Sequence, residues 1–285
     1  MAARIIDGTA VAREIYSAVG ARVKELAGRG LRPGLAAVHF GENAASQIYL
    51  RNKVRACTEA GMHSEVHHLA PDCAERVALE TIEKLNSNPA IHGILVQLPL
   101  PAHLDAERIT QAIRPQKDVD GFNWVNLGAL LAGHALFEPC TPRGIVALLD
   151  HAGIAIEGSH VVIVGRSSIV GKPLALLLVN RRATVTVCHT KTRDLTRHTS
   201  LADILVAAAG RPGLISGAMI KPGAAVIDVG INRLPNGKLA GDVDFAGASA
   251  VAGWITPVPG GVGPMTVAML IANTLQAAER LVCAG

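Results

Sequence analysis

A tyrosine and a lysine stand four residues apart in the segment SQIYLRNKVRA. In a helix this spacing puts Tyr49 and Lys53 on one face. An amine in an apolar cleft loses the hydration of its charged form and can then exchange protons near neutral pH. A tyrosine ring beside it can stack on a flat ligand, and its hydroxyl can position that ligand. Exposed surface pairs also have this spacing, so the pair predicts a site only together with its neighbours.

Two other segments carry polar residues at the end of a predicted strand or in a turn, where they could join Tyr49 and Lys53 in one site. Gln97 follows an apolar run in ILVQLPLP, and Asp118 and Asp120 lie in the turn QKDVDGF. Ligands of α/β proteins bind at the ends of strands. Gln97 can orient Lys53 through a hydrogen bond without adding charge, and either aspartate can pair with the amidine-like edge of a heterocycle.

A glycine turn in the second half of the chain reads VVIVGRSSIVGKP, with Gly165 after an apolar strand and a helix predicted from about Ile169. A strand, a glycine and a helix N-terminus in this order direct backbone N–H groups toward a pyrophosphate. The spacing differs from G-x-G-x-x-G, and an ordinary strand-to-helix loop has the same pattern. The turn therefore predicts a nucleotide site only with support from the next strand.

The next strand, in ATVTVCHTKT, supplies that support because it ends without a carboxylate. NAD-binding folds usually place Asp or Glu there, about 20 residues after the glycines, to bind the ribose 2′-hydroxyl. Arg166 and Thr190 instead offer a guanidinium and a hydroxyl, which suit a 2′-phosphate. His189 and Lys191 are equally compatible with solvated loop positions. The pattern predicts NADP as the cofactor, on the strength of Arg166 and Thr190.

A loop rich in proline and glycine, TPVPGGVGPMT, leads into the last helix. Such a loop can bring the main chain close to a flat ligand, and it is equally compatible with a tight connection between domains.

Strands and helices alternate along the whole chain, which predicts an α/β fold. In the first half, strands are predicted over 35–40, 65–69 and 91–101, and helices over 10–27 (capped by Thr9), 44–60 and 73–86. After Pro142 the pattern resumes with helices over 141–153 and 265–282 and strands over 161–164, 183–187, 203–208, 224–229 and 253–256. A domain boundary is predicted near residue 140, with the last helix returning to the first domain.

Composition excludes several classes of protein. Hydrophobic residues make up 49% of the 285 residues and aromatic residues 3%, which indicates an aliphatic core. The net charge of +4 is scattered, so no nucleic-acid partner is predicted. Five cysteines without a C-x-x-C pair predict reduced thiols in a cytoplasmic protein with no metal site. The N-terminal residues resemble no targeting peptide, and prolines and glycines interrupt the uncharged stretch 245–278, so no membrane segment is predicted.

Nine blocks of the sequence together resemble the bifunctional methylenetetrahydrofolate dehydrogenase/methenyltetrahydrofolate cyclohydrolase family. They occur in the family's order over nearly the whole chain: SQIYLRNKVRACTEAGM, GILVQLPLP, KDVDGFN, PCTPRG, VVIVGRSSIVGKP, TVTVCHTKT, KPGAAVIDVGIN, GDV and ITPVPGGVGPMT. The resemblance implies a catalytic, folate-binding domain over 1–140 plus 265–285 and a Rossmann-like NADP-binding domain with a mostly parallel sheet over 141–264. It also implies a homodimer formed through the NADP domain, with tetrahydrofolate derivatives bound in the cleft between domains.

The resemblance further implies that NADP oxidises 5,10-methylenetetrahydrofolate to the methenyl form, which is then hydrolysed to 10-formyltetrahydrofolate. On matching positions Lys53 would be the catalytic lysine, Gln97 would tune it, and Tyr49 would position the folate ring. Asp120 would hold the pterin edge. The folate site would also be lined by Leu98, Pro259, Gly260 and Gly261.

For the cofactor, the resemblance implies contacts with Gly165, Arg166, Ser167 and Ile231, and places Thr190 near the 2′-phosphate. Many relatives have serine where this chain has Thr190, and threonine keeps the hydroxyl.

Two other hypotheses deserve comparison. Short-chain dehydrogenases also use Y-x-x-x-K, but their glycine turn precedes the Tyr–Lys pair, whereas here Tyr49 precedes Gly165. A non-catalytic protein that senses NADP or acts as a scaffold would tolerate loss of Lys53, Gln97 and Asp120, yet all three occupy their motif positions. Formation of NADPH from methylenetetrahydrofolate would exclude the scaffold.

Overall fold

The structure is a computed structural model that describes the backbone of residues 2–41 and 44–283 and the side chains of residues 2–41 and 50–280. The chain divides into two compact units. The three-stranded unit consists of Arg13–Cys140 and Val267–Gly285, and the six-stranded unit of Met1–Ala12 and Thr141–Thr266. Each name refers to the parallel sheet that the unit contains.

The elements alternate much as the sequence predicts. In chain order, the helices are α1 (Gly8–Ala27), α2 (Ala44–Glu59), α3 (Glu75–Ser87), α4 (Ala106–Gln111), α5 (Trp124–Leu131), α6 (Cys140–His151), α7 (Gly171–Asn180), α8 (Leu195–Thr199), α9 (Phe245–Ser249) and α10 (Val262–Cys283). The strands are β1 (Arg4–Ile5), β2 (Gly34–Phe40), β3 (His63–Leu69), β4 (Gly93–Val96), β5 (His160–Val164), β6 (Thr184–Cys188), β7 (Ile204–Ala207), β8 (Ala225–Asp228), β9 (Asn232–Arg233), β10 (Leu239–Ala240) and β11 (Trp254–Ile255).

The three-stranded unit is built around β2, every residue of which is buried. The strand order is β3-β2-β4 and both pairings are parallel. Its apolar run GLAAVHF suits a central parallel strand that is covered on both faces. One core cluster includes residues of β2, β4, α3 and α4. Because parallel strands end on the same side of a sheet, the residues that follow β2 and β4 lie at one edge.

The C-terminal helix α10 packs onto the three-stranded unit, as predicted. The amide of Asn273 donates to the carbonyl oxygens of Val119 (2.7 Å) and Glu138 (3.1 Å). One turn later, the amide of Gln276 donates to the carbonyl of Leu136 (3.0 Å). These bonds satisfy loop carbonyls inside the protein, and so they hold the helix in one position.

The six-stranded unit has the doubly wound order β1-β11-β8-β7-β5-β6, in which every neighbouring pair is parallel. From β5 the chain first adds β6 on one side and then crosses to add β7 on the other side. The C-terminal ends of β5 and β7 therefore form a topological switch point, where α/β proteins bind their ligands. The α/β fold class is confirmed in both units.

Helices α1 and α10 both start earlier than predicted. Helix α1 begins at Gly8 and its cap is Asp7, whose Oδ1 accepts from the N–H groups of Thr9 (2.9 Å) and Ala10 (3.1 Å). The predicted cap at Thr9 is therefore wrong, because the carboxylate two residues earlier satisfies the free N–H groups. Helix α10 begins at Val262 rather than 265, because Pro264 lies in its first turn, where a missing N–H costs nothing.

No helix in the parts of the chain that the structure describes combines the length and apolarity needed to span a bilayer.

Candidate active site

Lys53 and Gln97 form the centre of the candidate site in the three-stranded unit. Lys53 lies on α2, and its Nζ donates a hydrogen bond to Oε1 of Gln97 at 3.2 Å. Gln97 follows β4 directly, where its N–H bonds to the carbonyl of Val38 (2.9 Å), and its side-chain Nε2 donates to the carbonyl of Leu98 (2.9 Å). With its Nε2 bound to Leu98, the amide presents its oxygen, and not its nitrogen, to the lysine.

Tyr49 lies on α2 one turn before Lys53. Its side chain is outside the residues whose side chains the structure describes, so its predicted contact with the folate ring remains a prediction.

Asp120 joins this pair. It is half-buried, and burial raises the pKa of its carboxyl to about 6. The positive charge of Lys53 opposes that rise, as does a hydrogen bond with the thiol of Cys140, whereas the charge of Asp118 adds to it. The structure therefore brings Lys53, Gln97 and Asp120 together, as the sequence predicts for one site.

Asp118, the other aspartate in this turn, has a structural role. It is buried, and its carboxylate accepts from the N–H groups of Gly121 (3.2 Å) and Asn123 (2.7 Å) and from the side chain of Asn126 (2.8 Å). Burial raises its pKa, and these hydrogen bonds oppose the rise. Its oxygens already accept hydrogen bonds from its own turn and from α5, whereas Asp120 lies next to Lys53.

Cys140 is a member of this cluster that sequence reasoning did not single out. The thiol is buried, and its single proton has two acceptors within reach: the carbonyl of Val119, at 3.3 Å from Sγ, and the carboxyl of Asp120. Its place in the block PCTPRG is the signal that could have identified it.

The glycine turn of the six-stranded unit lies at the switch point between β5 and β7. Gly165 has a φ of +135°, and a Cβ there would overlap the carbonyl oxygen of Ala208, directly after β7. A Cβ on Gly171 would in turn overlap the carbonyl oxygen of Gly165. Both positions therefore need glycine, because the two strand ends and the helix N-terminus approach at backbone distance.

Ser167 fixes the shape of this turn. Its Oγ accepts from the N–H groups of Val170 (3.1 Å) and Gly171 (3.3 Å), and α7 starts at Gly171 rather than at the predicted Ile169. The neighbouring Arg166 is exposed. A helix N-terminus beside an exposed guanidinium suits a phosphorylated ligand.

Two further residues predicted to contact the cofactor lie at the same edge of the sheet. Thr190 is exposed and follows β6 by two residues; the N–H of Gly165 bonds to the carbonyl of Cys188 at the end of that strand (2.9 Å). Ile231 follows β8 and is 44% exposed. The structure therefore places the predicted cofactor residues after β5, β6 and β8 of one sheet.

Pro259, Gly260 and Gly261 belong to the six-stranded unit. The carbonyl of Gly260 accepts from the N–H of Thr9 (3.1 Å), and a Cβ on Gly8 would overlap the carbonyl oxygen of Gly261. The loop is therefore fixed to the start of α1, with Pro259 exposed.

The residues at the end of the six-stranded sheet are suited to bind a nicotinamide dinucleotide. In the three-stranded unit, Lys53 is placed to transfer a proton. Among the described residues, no group of three or more histidine, cysteine or carboxylate side chains is placed to hold a metal ion.

Two family models match the chain. The model of the tetrahydrofolate dehydrogenase/cyclohydrolase catalytic domain matches residues 6–120, and that of the corresponding NAD(P)-binding domain matches residues 139–282. The bifunctional protein FolD of Bordetella avium is 58% identical over 98% of this chain and 99% of its own length.

Solved structures of this family have the same fold as this chain. The FolD methylenetetrahydrofolate dehydrogenase/cyclohydrolase of Campylobacter jejuni has a TM-score of 0.97 at 45% identity and covers 98% of this chain and 100% of its own. The Trypanosoma brucei enzyme, solved with NADP cofactor and an inhibitor, has a TM-score of 0.95 at 41% identity, with 99% of each chain covered.

Proposed function

The chain belongs to the tetrahydrofolate dehydrogenase/cyclohydrolase family and is a bifunctional enzyme of one-carbon folate metabolism, and we propose how its residues perform the two activities. It oxidises 5,10-methylenetetrahydrofolate to 5,10-methenyltetrahydrofolate with NADP, and it then hydrolyses the methenyl form to 10-formyltetrahydrofolate. Both substrates are tetrahydrofolate derivatives. The oxidation needs the residues that bind the cofactor, and the hydrolysis needs Lys53.

The cofactor is held by Gly165, Arg166, Ser167, Thr190 and Ile231. The support for NADP is that the turn approaches at backbone distance, that β6 ends without a carboxylate, and that Arg166 is exposed beside the helix N-terminus. When bound, the nicotinamide accepts a hydride from the substrate; the protein supplies only binding and orientation for that step.

The folate is held by Tyr49, Gln97, Leu98 and Asp120, together with the loop Pro259–Gly261. The Asp120 carboxylate is suited to accept hydrogen bonds from the N–H groups at the pterin edge, which a carboxylate binds two at a time. Tyr49 stacks on the ring.

Lys53 moves the proton in the hydrolytic step. Water adds to the methenyl carbon and loses a proton to the Lys53 amine, which leaves a hydroxyl on that carbon. The bond from the carbon to the ring nitrogen then breaks as the hydroxyl loses its proton and the formyl C=O forms; one of the two protons passes to the ring nitrogen and the other is released to solvent. The observation that carries the proposal is the 3.2 Å hydrogen bond from Lys53 to Gln97. It holds the amine in place through an acceptor that is itself fixed by its bond to Leu98.

Three broader expectations from the sequence belong to this proposal. The catalytic residues belong to the predicted domain 1–140 plus 265–285 and the NADP residues to the predicted domain 141–264, although Met1–Ala12 are part of the six-stranded unit. The protein acts in the cytoplasm, and it is a homodimer that forms through the NADP domain, without nucleic-acid or membrane partners.

The decisive experiment mixes the purified protein with 5,10-methylenetetrahydrofolate and either NADP or NAD, side by side. We expect NADPH absorbance to appear, followed by loss of the methenyl absorbance as hydrolysis proceeds. Absence of both signals would favour the scaffold hypothesis, and a faster reaction with NAD would refute the assignment of Arg166 and Thr190 to the 2′-phosphate.

A further inference from the structure

A buried carboxylate lies beside the glycine turn, and the two activities do not account for it. Asp242 is fully buried in the six-stranded unit. Its Oδ2 accepts from the N–H groups of Ala209 (2.6 Å) and Gly210 (2.8 Å), and its Oδ1 accepts from the N–H of Arg211 (2.8 Å). Three successive N–H groups that converge on one anion form a nest, a backbone arrangement that binds anions. Here the chain fills its own nest.

The loop that Asp242 holds is the one that contacts the glycine turn. Ala208 immediately precedes the nest, and its carbonyl oxygen occupies the space that a Cβ on Gly165 would need. The N–H of Ala208 is tied to the carbonyl of Val164 (2.8 Å), the last residue of β5. A shift of the 209–211 backbone would therefore move the surface against which Gly165 packs.

Asp242 also reaches the segment that carries Ile231. The side chain of Asn232 donates to its Oδ1 at 2.8 Å. A second buried aspartate, Asp228, fixes the same region from the end of β8: it accepts from the N–H groups of Gly230 (2.9 Å) and of Asp242 itself (2.9 Å). Ile231 thus lies between the Gly230 backbone, which is bonded to Asp228, and the Asn232 side chain, which is bonded to Asp242.

We propose that Asp242 is a positioning residue of the cofactor site, because it locks the loop after β7 against the glycine turn and ties the Ile231 segment to that loop. This inference rests on the proposed assignment of Gly165 and Ile231 to the cofactor. It assigns no contact with the dinucleotide to Asp242. It also accounts for why phosphate binding falls to the Gly165–Gly171 turn, since the nest at 209–211 is already occupied.

The test replaces the carboxylate with a nearly isosteric amide. In Asp242→Asn, the NH₂ group replaces one of the two carboxylate oxygens and faces N–H donors, so at least one nest bond is lost and the loop is held less firmly. The matched control is Asp244→Asn, which makes the same change two residues later at an exposed position whose side chain caps no helix N–H group. Three quantities are measured for each variant: the Kd for NADP by titration, the KM for NADP, and the kcat of methenyl hydrolysis without any dinucleotide.

For Asp242→Asn we expect the Kd and KM for NADP to rise about tenfold or more. Hydrolysis without dinucleotide should stay within about twofold of the wild type, because it needs no nicotinamide. Asp244→Asn should match the wild type in all three. A parallel fall of both activities together with a lower Tm would show a merely structural role and overturn the proposal, and so would an unchanged Kd.

A second variant decides the matter if Asp242→Asn does not fold. Asn232→Ala removes one donor to Asp242 and buries no new polar group. We expect a rise of about threefold in the Kd for NADP with hydrolysis unchanged, and an unchanged Kd would overturn the proposal. Because NADP titration involves no folate, a wild-type protein that binds NADP but does not oxidise methylenetetrahydrofolate would refute the proposed function and leave this test intact.

Discussion

The amine of Lys53 and the amide oxygen of Gln97 are 3.2 Å apart, and they come from two different elements, α2 and the end of β4. The amide is itself held by its bond to the Leu98 carbonyl. An acceptor that is itself held in this way fixes the direction of the lysine side chain. This geometry leads to the first two predictions.

Lys53→Met should remove the proton acceptor while keeping the length and apolar stem of the side chain. We expect the rate of methenyl hydrolysis to fall by about 100-fold or more, and the Kd for NADP to remain that of the wild type. Lys84→Met, at an exposed position on α3, is the control and should retain both. Normal hydrolysis in Lys53→Met would refute the assignment.

Gln97→Met removes the acceptor and keeps the volume. The lysine then loses its fixed direction, so we expect hydrolysis to slow by about tenfold with a smaller change in the KM for folate. The measurement is the split between the kcat and the KM of hydrolysis, in which the loss should fall on kcat. A loss that falls on the KM instead would mean that Gln97 acts by binding the folate and not by directing the lysine.

Folate binding should depend on pH through Asp120. Burial raises the pKa of this carboxyl to about 6, so the carboxylate that accepts from the pterin edge predominates at neutral pH and the neutral acid at lower pH. We expect the KM for methylenetetrahydrofolate to rise as the pH falls through about 6. Asp120→Asn should show a high KM without that dependence, whereas the exposed control Asp72→Asn should behave as the wild type does.

The raised pKa of Asp120 should also appear in stability. The folded protein binds more protons than the unfolded chain between the ordinary pKa of 3.8 and the folded value of about 6. The free energy of unfolding therefore decreases as the pH rises through this window, by at most about 3 kcal/mol for this group. Asp228, whose pKa burial also raises to about 6, contributes with the same sign.

Denaturant unfolding at several pH values checks this. The decrease between pH of about 4 and about 6 should be smaller in Asp120→Asn than in the wild type. An equal decrease in both would show that the carboxyl titrates at its ordinary value.

Cofactor choice should depend on Arg166. In Arg166→Ala, the KM for NADP should rise by about 10- to 100-fold, which corresponds to the loss of one charge-assisted hydrogen bond. The KM for NAD should change little. Arg197→Ala, exposed on the short helix α8, is the control. Equal losses with both dinucleotides would place Arg166 at the pyrophosphate instead of the 2′-phosphate.

Hydrophobic patterning predicts the parts of this fold that depend on local sequence. The predicted strands of both units lie within about two residues of the observed ones, with the exception of the stretch 91–101, of which only Gly93–Val96 is a strand. The short strands β1, β9 and β10 are not predicted. Prolines at 99 and 101 shorten it, since proline cannot donate to a sheet ladder. Helix α5 is not predicted, because its apolar residues Trp124, Val125 and Leu131 are exposed and obscure any helical period.

In the candidate site, too, the sequence predicts what depends on local motifs and misses what depends on contacts between distant residues. Motif positions identify Lys53, Gln97 and Asp120, which the structure brings together. The choice between Asp118 and Asp120 depends on Asn126, which folds back onto Asp118 from α5. Likewise, the link from Asp242 to the loop after β7 joins residues about 30 positions apart, a distance at which spacing carries no signal.

Strand β1 stands at the beginning of the chain, yet its partner is β11, and Arg4 lies opposite Trp254. The sheet of the six-stranded unit is therefore finished only when nearly the entire polypeptide has left the ribosome. A break at residue 140 would separate β1 from its neighbour and α10 from the unit onto which it packs. Neither half of the chain alone therefore contains a complete unit, so a fragment that ends at residue 140 should lack an edge strand of one sheet and a helix of the other unit.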